Sequence, residues 1–231
     1  MTLAVVPARG GSKRIPRKNL REFFGKPIIA WSLEAALESG CFSRVIVSTD
    51  DEEIASVARE HGAEVPFLRP AELADDMTGT VPVMAHAVEA CGLASDELAC
   101  CIYATAPFVT AEDLVRGRGV LEAAGTEYAL SVTTFPFPIQ RALRAMPGGR
   151  LAPFSPEHEQ SRSQDLEEAW HDAGQFYWGR ARSWRANAAI FASGPAHVPL
   201  PRHRVQDIDT PEDWSRAELL FQALRDRGQA D

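Results

Sequence analysis

Short apolar runs that alternate with helical spacing are the feature that most restricts how this chain of 231 residues can fold. Leu3 to Val6, Arg44 to Asp50, Leu98 to Tyr103 and Tyr128 to Thr134 are strand-length segments, mostly apolar, the pattern of strands buried on both faces. Between them come helical patterns. Ile28, Ile29, Trp31, Leu33 and Leu37 follow Pro27 and stop at Ser39-Gly40, and Asp51 to His61 is closed by Gly62. Thr80 to Cys91 repeats Val81, Met84, Val88 and Cys91 at helical spacing, and a further helix is expected from about Glu112 to Ala124, although Gly117 and Gly119 weaken it. Strand, helix and strand in succession require crossovers, so the expected architecture is α/β with a mostly parallel sheet.

The remaining segments are less regular. Ala63 to Pro70 is expected to hold a short strand, and AELADDMTGT after it lacks periodicity, marking a candidate binding loop. The stretch from Phe135 to Phe154 contains four prolines and a Pro-Gly-Gly turn, which suits an extended hairpin or arm over residues 135–155. Short strands are expected at Gly174 to Trp178 and at Ala189 to Ala192. In VQDIDTPEDW, Thr210 is the expected N-cap of a last helix, with Pro211 at its first position and Asp213 completing a capping box; Gly228 stops it. With no repeat and no linker, residues 1–231 read as one domain.

Charge is distributed unevenly. The net charge is −8, yet Arg9, Lys13, Arg14, Arg17, Lys18 and Arg21 follow one another without an acidic residue, directly after the first strand. Gly10 and Gly11 let the backbone approach a ligand closely there, so a polyphosphate is the natural guest. The spacing is neither that of a Walker loop nor that of the three-glycine dinucleotide fingerprint. A pI near 5.3 argues against a nucleic-acid binder that uses its whole surface. No apolar run is long enough to span a bilayer and no signal peptide is evident, so a cytoplasmic protein without a membrane partner is expected. Cys41, Cys91, Cys100 and Cys101 lack metal-site spacing and read as reduced, mostly buried thiols.

PARGGSK followed by IPRKN resembles the N-terminal signature of the cytidylyltransferases that activate acidic sugars, the CMP-sialic acid synthetase family. RPAELADD, YATAPF, SQDL, GQFY and DIDTPEDW continue the resemblance in order along the chain. It implies a Rossmann-like nucleotidyltransferase fold and a homodimer in which an extended dimerisation arm reaches the partner's site. The implied reaction is transfer of CMP from CTP to the anomeric hydroxyl of an acidic nine-carbon sugar, with Mg²⁺.

Carried over residue by residue, the resemblance assigns Arg9, Lys13 and Lys18 to the triphosphate, with Ala8, Gly10 and Ser12 on the same loop. Arg14, Arg17 and Arg21 are read as solvated surface. Asn19, Arg69 and Thr80 stand where the family contacts ribose, cytosine or the adjoining loop; pairing of Arg69 with Glu72 or Asp75 is the alternative. Asp207 and Asp209 resemble the family's metal-holding carboxylates, and alternation along an extended chain would turn both toward one ion. Arg9, Lys13, Lys18 and Asp209 are also taken as catalytic.

At the sugar end, Ser163 replaces an expected Arg, Glu167 an expected Pro, and HDAGQFYWG the usual strand. SRSQDLEEAWHDAGQFYWG resembles the branch that activates pseudaminic acid; sialic acid, legionaminic acid and Kdo are the alternatives, as is a non-catalytic nucleotide-binding protein. Tyr103, Arg162, Gln164, His171 and Gln175 are the candidate sugar contacts. His171 beside Asp172 has no nucleophile motif with it, which excludes acyl transfer.

Overall fold

The computed structural model describes residues 1–228. In chain order the elements are β1 (Thr2–Pro7), β2 (Glu22–Phe23), β3 (Lys26–Pro27), α1 (Ile28–Glu38), β4 (Arg44–Ser48), α2 (Glu52–Glu60), α3 (Thr80–Ala90) and β5 (Leu98–Ile102). They continue with α4 (Ala111–Ala124), β6 (Tyr128–Thr134), β7 (Leu143–Met146), β8 (Arg150–Pro153), β9 (Trp170–Arg180), α5 (Ala181–Arg185), β10 (Ala196–Pro199) and α6 (Pro211–Arg225).

Six strands form the central sheet in the order β10-β6-β9-β5-β1-β4. β1 pairs in parallel with β4 on one side and with β5 on the other. The chain therefore reverses its direction of winding beside β1, and ligands of open α/β sheets bind outside the strand ends at such a point. Only β9 runs antiparallel, between β5 and β6. Its N-terminal residues consequently lie at the edge where the other strands end, with Thr133 opposite His171 and Thr134 opposite Trp170.

The apolar runs are strands because both faces of the sheet are covered. Leu3, Val5, Ile46 and Ala99 pack into one buried cluster, and Ala4, Val6, Val45 and Cys100 into another. Trp178 and Trp184 are fully buried, and their indole N–H groups donate to Leu114 O at 3.1 Å and Ala99 O at 3.2 Å. A third cluster seats α6 beside the hairpin of β2 and β3, with Phe23 edge-on to Trp214 and Phe221. Gly117 is explained here: a Cβ would lie 2.7 Å from Phe176 and 2.8 Å from Trp178, so glycine lets α4 approach β9.

Three expectations are corrected. Ala63 to Pro70 is not a strand but two isolated parallel bridges, Ile46 with Glu64 and Thr49 with Leu68, because Pro66 and Pro70 have no N–H to donate. Ala189 to Ala192 is not a strand either. Its end enters a 3-10 turn at Phe191–Ser193, Gly194 reverses the chain at φ 66°, and pairing with β6 begins only at Ala196. The strand expected at Gly174 to Trp178 extends over the 11 residues of β9, its polar first half being held by β6 rather than by burial. Residues 135–155 contain the antiparallel hairpin of β7 and β8, with Leu143 and Leu151 exposed. Among the described residues no helix is long and apolar enough to cross a membrane. The four cysteines are unbridged, and burial pushes the thiols of Cys100 and Cys101 well up.

Candidate active site

The loop after β1 is fixed from below before it offers anything to a ligand. Ala8 is buried and its N–H donates to Ser48 O at 2.9 Å, and the Gly10 N–H donates to Asp50 Oδ1 at 3.0 Å. A Cβ at Gly10 would stand 2.5 Å from Asp51 Oδ2, so only glycine fits. Asp51 is itself occupied as N-cap of α2, accepting from Glu53 N and Ile54 N. Arg17 turns away from the recess: at φ 55° it pairs with Asp51 at 2.8 Å and with Glu53. Arg21 lies over the Trp214 ring at 4.3 Å.

The other cations border a recess of about 240 Å³ at the ends of β1 and β5. Arg9, Ser12, Lys13, Arg14 and Lys18 supply one side, and Asn19, Arg69, Thr80 and Tyr103 the rest. Sequence reasoning placed Arg14 on the solvated surface; the structure brings it into this recess, 2.8 Å from Asp209 Oδ2. Lys18 Nζ donates to Ile208 O at 2.6 Å and stands 3.3 Å from Asp209 Oδ1. Arg9 donates to Asp76 Oδ1 at 2.6 Å and Asp75 O at 3.0 Å, and Lys13 also pairs with Asp76. Those two cations hold the Asp76 carboxyl below its ordinary range. The polar loop carrying Asp76 is shaped by Asp75, whose Oδ1 accepts from Met77 N at 2.9 Å and Thr78 N at 2.6 Å.

Two predicted contacts have supporting roles as well. Asn19 is buried and donates to Arg9 O at 2.9 Å, positioning the backbone of the arginine. Arg69 is also buried, and burial lowers its pKa below the ordinary guanidinium value. It pairs with neither Glu72 nor Asp75: its donors go to Ser48 Oγ at 3.1 Å and to the Ser48 and Leu73 carbonyls. Thr80 opens α3 and its hydroxyl lies 3.1 Å from the Tyr103 hydroxyl.

Asp207 and Asp209 precede the capping box of α6, in which Thr210 and Asp213 bond reciprocally. Ile208 between them is fully buried, so both carboxylates project from the opposite side of the chain. They border different recesses: Asp209 the first, Asp207 a second of about 420 Å³. Burial, then the charge of Asp209, raises the Asp207 pKa. Gly174, at φ 62°, lies under Asp207, whose carboxyl carbon would be 3.8 Å from a Cβ there. Among the described residues no group of three or more His, Cys, Asp and Glu is arranged to hold a metal, so the protein by itself offers two carboxylates rather than a cage.

Of the predicted sugar contacts, only His171 borders the second recess, with Asp172, Arg202, Gln206 and Arg216. Its Nδ1 lies 2.8 Å from Asp172 O and its ring 4.7 Å from that of Phe135. Tyr103 borders the first recess instead. Gln175 is buried and its amide donates to Arg204 O. Arg162 and Gln164 are exposed in the segment before β9. They border neither recess. Sequence reasoning missed Asp76, Arg202 and Arg216, none of which stands beside its partners in sequence.

A family model described as cytidylyltransferase matches residues 3–135. A pseudaminic acid cytidylyltransferase of Campylobacter jejuni is 41% identical over 221 residues, covering 95% of each chain. A CMP-N,N'-diacetyllegionaminic acid synthase of Legionella pneumophila is 52% identical, but over only 79 residues, 34% of each chain. Among solved structures, CMP:2-keto-3-deoxy-manno-octonic acid synthetase complexed with CTP superimposes with a TM-score of 0.69 at 17% identity, covering 96% of this chain and 98% of that one.

Proposed function

The chain belongs to the cytidylyltransferase family, and we propose that it transfers CMP from CTP to the anomeric hydroxyl of pseudaminic acid, releasing pyrophosphate. The observation that carries this reading is the placement of Asp207 and Asp209 at the junction of two recesses, one cationic and one of mixed charge. Such a junction is where an α-phosphorus and an attacking hydroxyl would meet. The choice of sugar rests on the extent of similarity, which spans 95% of both chains for the pseudaminic acid enzyme and 34% for the legionaminic acid one.

In this reading the triphosphate enters the first recess and takes over Arg9 and Lys13 from Asp76. Arg9 and Arg14 are planar donors suited to phosphate oxygens, and Lys13 and Lys18 act as point charges. Thr80 and the loop amides serve the nucleoside side. The anomeric oxygen attacks the α-phosphorus as its proton passes to solvent, the bond from the α-phosphorus to the oxygen bridging it to the β-phosphate breaks, and pyrophosphate leaves with that oxygen. Nucleotidyl transfer of this kind asks the protein mainly for alignment and charge neutralisation.

Asp207 and Asp209 fit Mg²⁺: both offer hard oxygens, and Mg²⁺ ordinarily takes one or two carboxylates and fills its remaining positions with phosphate oxygens and water. Bound there, Mg²⁺ would supply charge neutralisation at the reacting phosphate. Sugar and nucleotide would be held from opposite sides of this segment by the chain's own groups. The hairpin of β7 and β8 is read as an arm for a second copy of the chain, and the reaction as a cytoplasmic one.

The test is an acceptor screen with CTP and Mg²⁺, scored by pyrophosphate release. Pseudaminic acid should be the preferred acceptor. Release with sialic acid but not with pseudaminic acid would overturn the choice of sugar, and release with no acceptor in the panel would overturn the enzymatic reading.

A further inference from the structure

A continuous line of hydroxyl groups joins the two recesses. Thr80 Oγ1 lies 3.1 Å from the Tyr103 hydroxyl, Tyr103 donates to the Tyr177 hydroxyl at 3.3 Å, and Tyr177 donates to Asp172 Oδ2. Thr80 and Tyr103 border the first recess and Asp172 the second. Counting protons fixes the direction of the line. A carboxylate accepts and cannot donate, and each hydroxyl has one proton to give. Tyr177 spends its proton on Asp172 and Tyr103 spends its own on Tyr177, which leaves Tyr103 to accept from Thr80. Burial keeps both phenols protonated, raising the Tyr103 pKa to about 12 and that of Tyr177 further.

Asp172 is held from a second side. Its Oδ1 accepts from Gly174 N at 2.9 Å. Each carboxylate oxygen can accept more than one hydrogen bond, so two protein donors fix the orientation of the group without exhausting it. The recess it borders is lined by charges of both signs, Arg202 and Arg216 with Asp172 and Asp207. The carboxylate of an acidic sugar pairs favourably with an arginine of this lining, and whatever group meets Asp172 must be a donor.

We propose that Asp172 is a specificity-determining residue of the acceptor site, accepting a hydrogen bond from a hydroxyl or acylamino N–H of the sugar, and that Tyr177 is the residue that positions it. The inference rests on the reading of the second recess as the acceptor site. A sugar lacking the matching donor leaves the carboxylate desolvated and unpaired, which is the most effective way a site rejects an analogue. Tyr177 is buried, and replacing it with phenylalanine preserves the ring while removing the one hydroxyl that holds Asp172 Oδ2.

The experiment compares the native protein with Asp172→Asn and Tyr177→Phe, using CTP, pseudaminic acid and a set of analogues each lacking one hydroxyl or acylamino N–H. In the native protein one analogue should show a KM raised roughly tenfold or more, the size of one hydrogen bond to a charged group. In Asp172→Asn that penalty should shrink to within about twofold while the KM for pseudaminic acid itself rises roughly tenfold, with kcat nearly unchanged. Tyr177→Phe should fall between the two and is the deciding variant if Asp172→Asn does not fold. An unchanged pattern of analogue penalties in a folded variant overturns the role of Asp172 alone. A native protein that activates no pseudaminic acid overturns the proposed acceptor and this inference with it.

Discussion

Arg14 holds Asp209 at 2.8 Å, tying the loop that follows the first strand to the segment that leads into the last helix. The pair is well solvated, with side chains 64% and 41% exposed, so its contribution to stability is small. Its effect belongs to the recess. Arg14→Ala should leave the melting temperature within about 2 °C and lower kcat/KM for CTP roughly tenfold, about 1.4 kcal/mol. Steady-state kinetics together with thermal denaturation separate the two.

Asp76 occupies Arg9 and Lys13, two of the cations proposed to take the triphosphate. Exposed ion pairs are each worth up to about 1 kcal/mol, so releasing Arg9 and Lys13 should favour nucleotide by a comparable amount. Asp76→Asn is expected to tighten CTP binding about threefold to tenfold in a calorimetric titration. Weaker binding in the variant would mean that Asp76 helps to hold the nucleotide rather than competing with it.

Two glycines of α4 should respond in opposite directions. At Gly117 a methyl group would overlap Phe176 and Trp178, whereas at Gly119 nothing lies within 4 Å. Gly119→Ala gains helix propensity worth about 0.5–1 kcal/mol. Gly117→Ala gains the same but pays roughly 1–3 kcal/mol for overpacking. Thermal melts should show Gly119→Ala raised by about 2 °C and Gly117→Ala lowered by at least that much.

Asp113 is the buried carboxylate on which Arg204 rests. Burial pushes its pKa up, but bonds from Arg204 at 2.6 Å and Arg116 at 2.8 Å outweigh this and hold it below the ordinary value. A depressed folded-state pKa stabilises above the unfolded value of about 3.9 and loses that contribution as pH falls through the folded one. Asp113→Asn should therefore cost about 3 kcal/mol in urea denaturation at pH 7. The gap between native and variant should narrow below about pH 4. A gap independent of pH would count against the ion pair.

The helix of the last segment was legible down to its capping box because caps are local: Thr210, Pro211 and Asp213 lie within one turn. The strands at Leu3, Arg44, Leu98 and Tyr128 were legible for a similar reason, since two-sided burial demands uninterrupted apolar residues. Ala63 to Pro70 and Ala189 to Ala192 misled because short apolar runs say nothing of whether an edge is free to pair with them. Gly117 looked like a defect in α4 only because the aromatic rings it accommodates belong to β9, far along the chain.

By itself the sequence determined the alternation of strands and helices, the cationic loop after β1, the two carboxylates before α6 and the family to which the motifs point. These follow from local periodicity, capping and ordered short motifs. Tertiary structure decided which charges meet. It turned Arg17 and Arg21 away from the recess and Arg14 into it, set Asp76 against Arg9 and Lys13, and buried Gln175 behind the site. It also ran β9 against its neighbours, so that the start of that strand, with His171 and Asp172, reached the same edge as Asp207. Side-chain partners far apart in sequence are fixed by strand order and direction, and neither is written in the residues that meet.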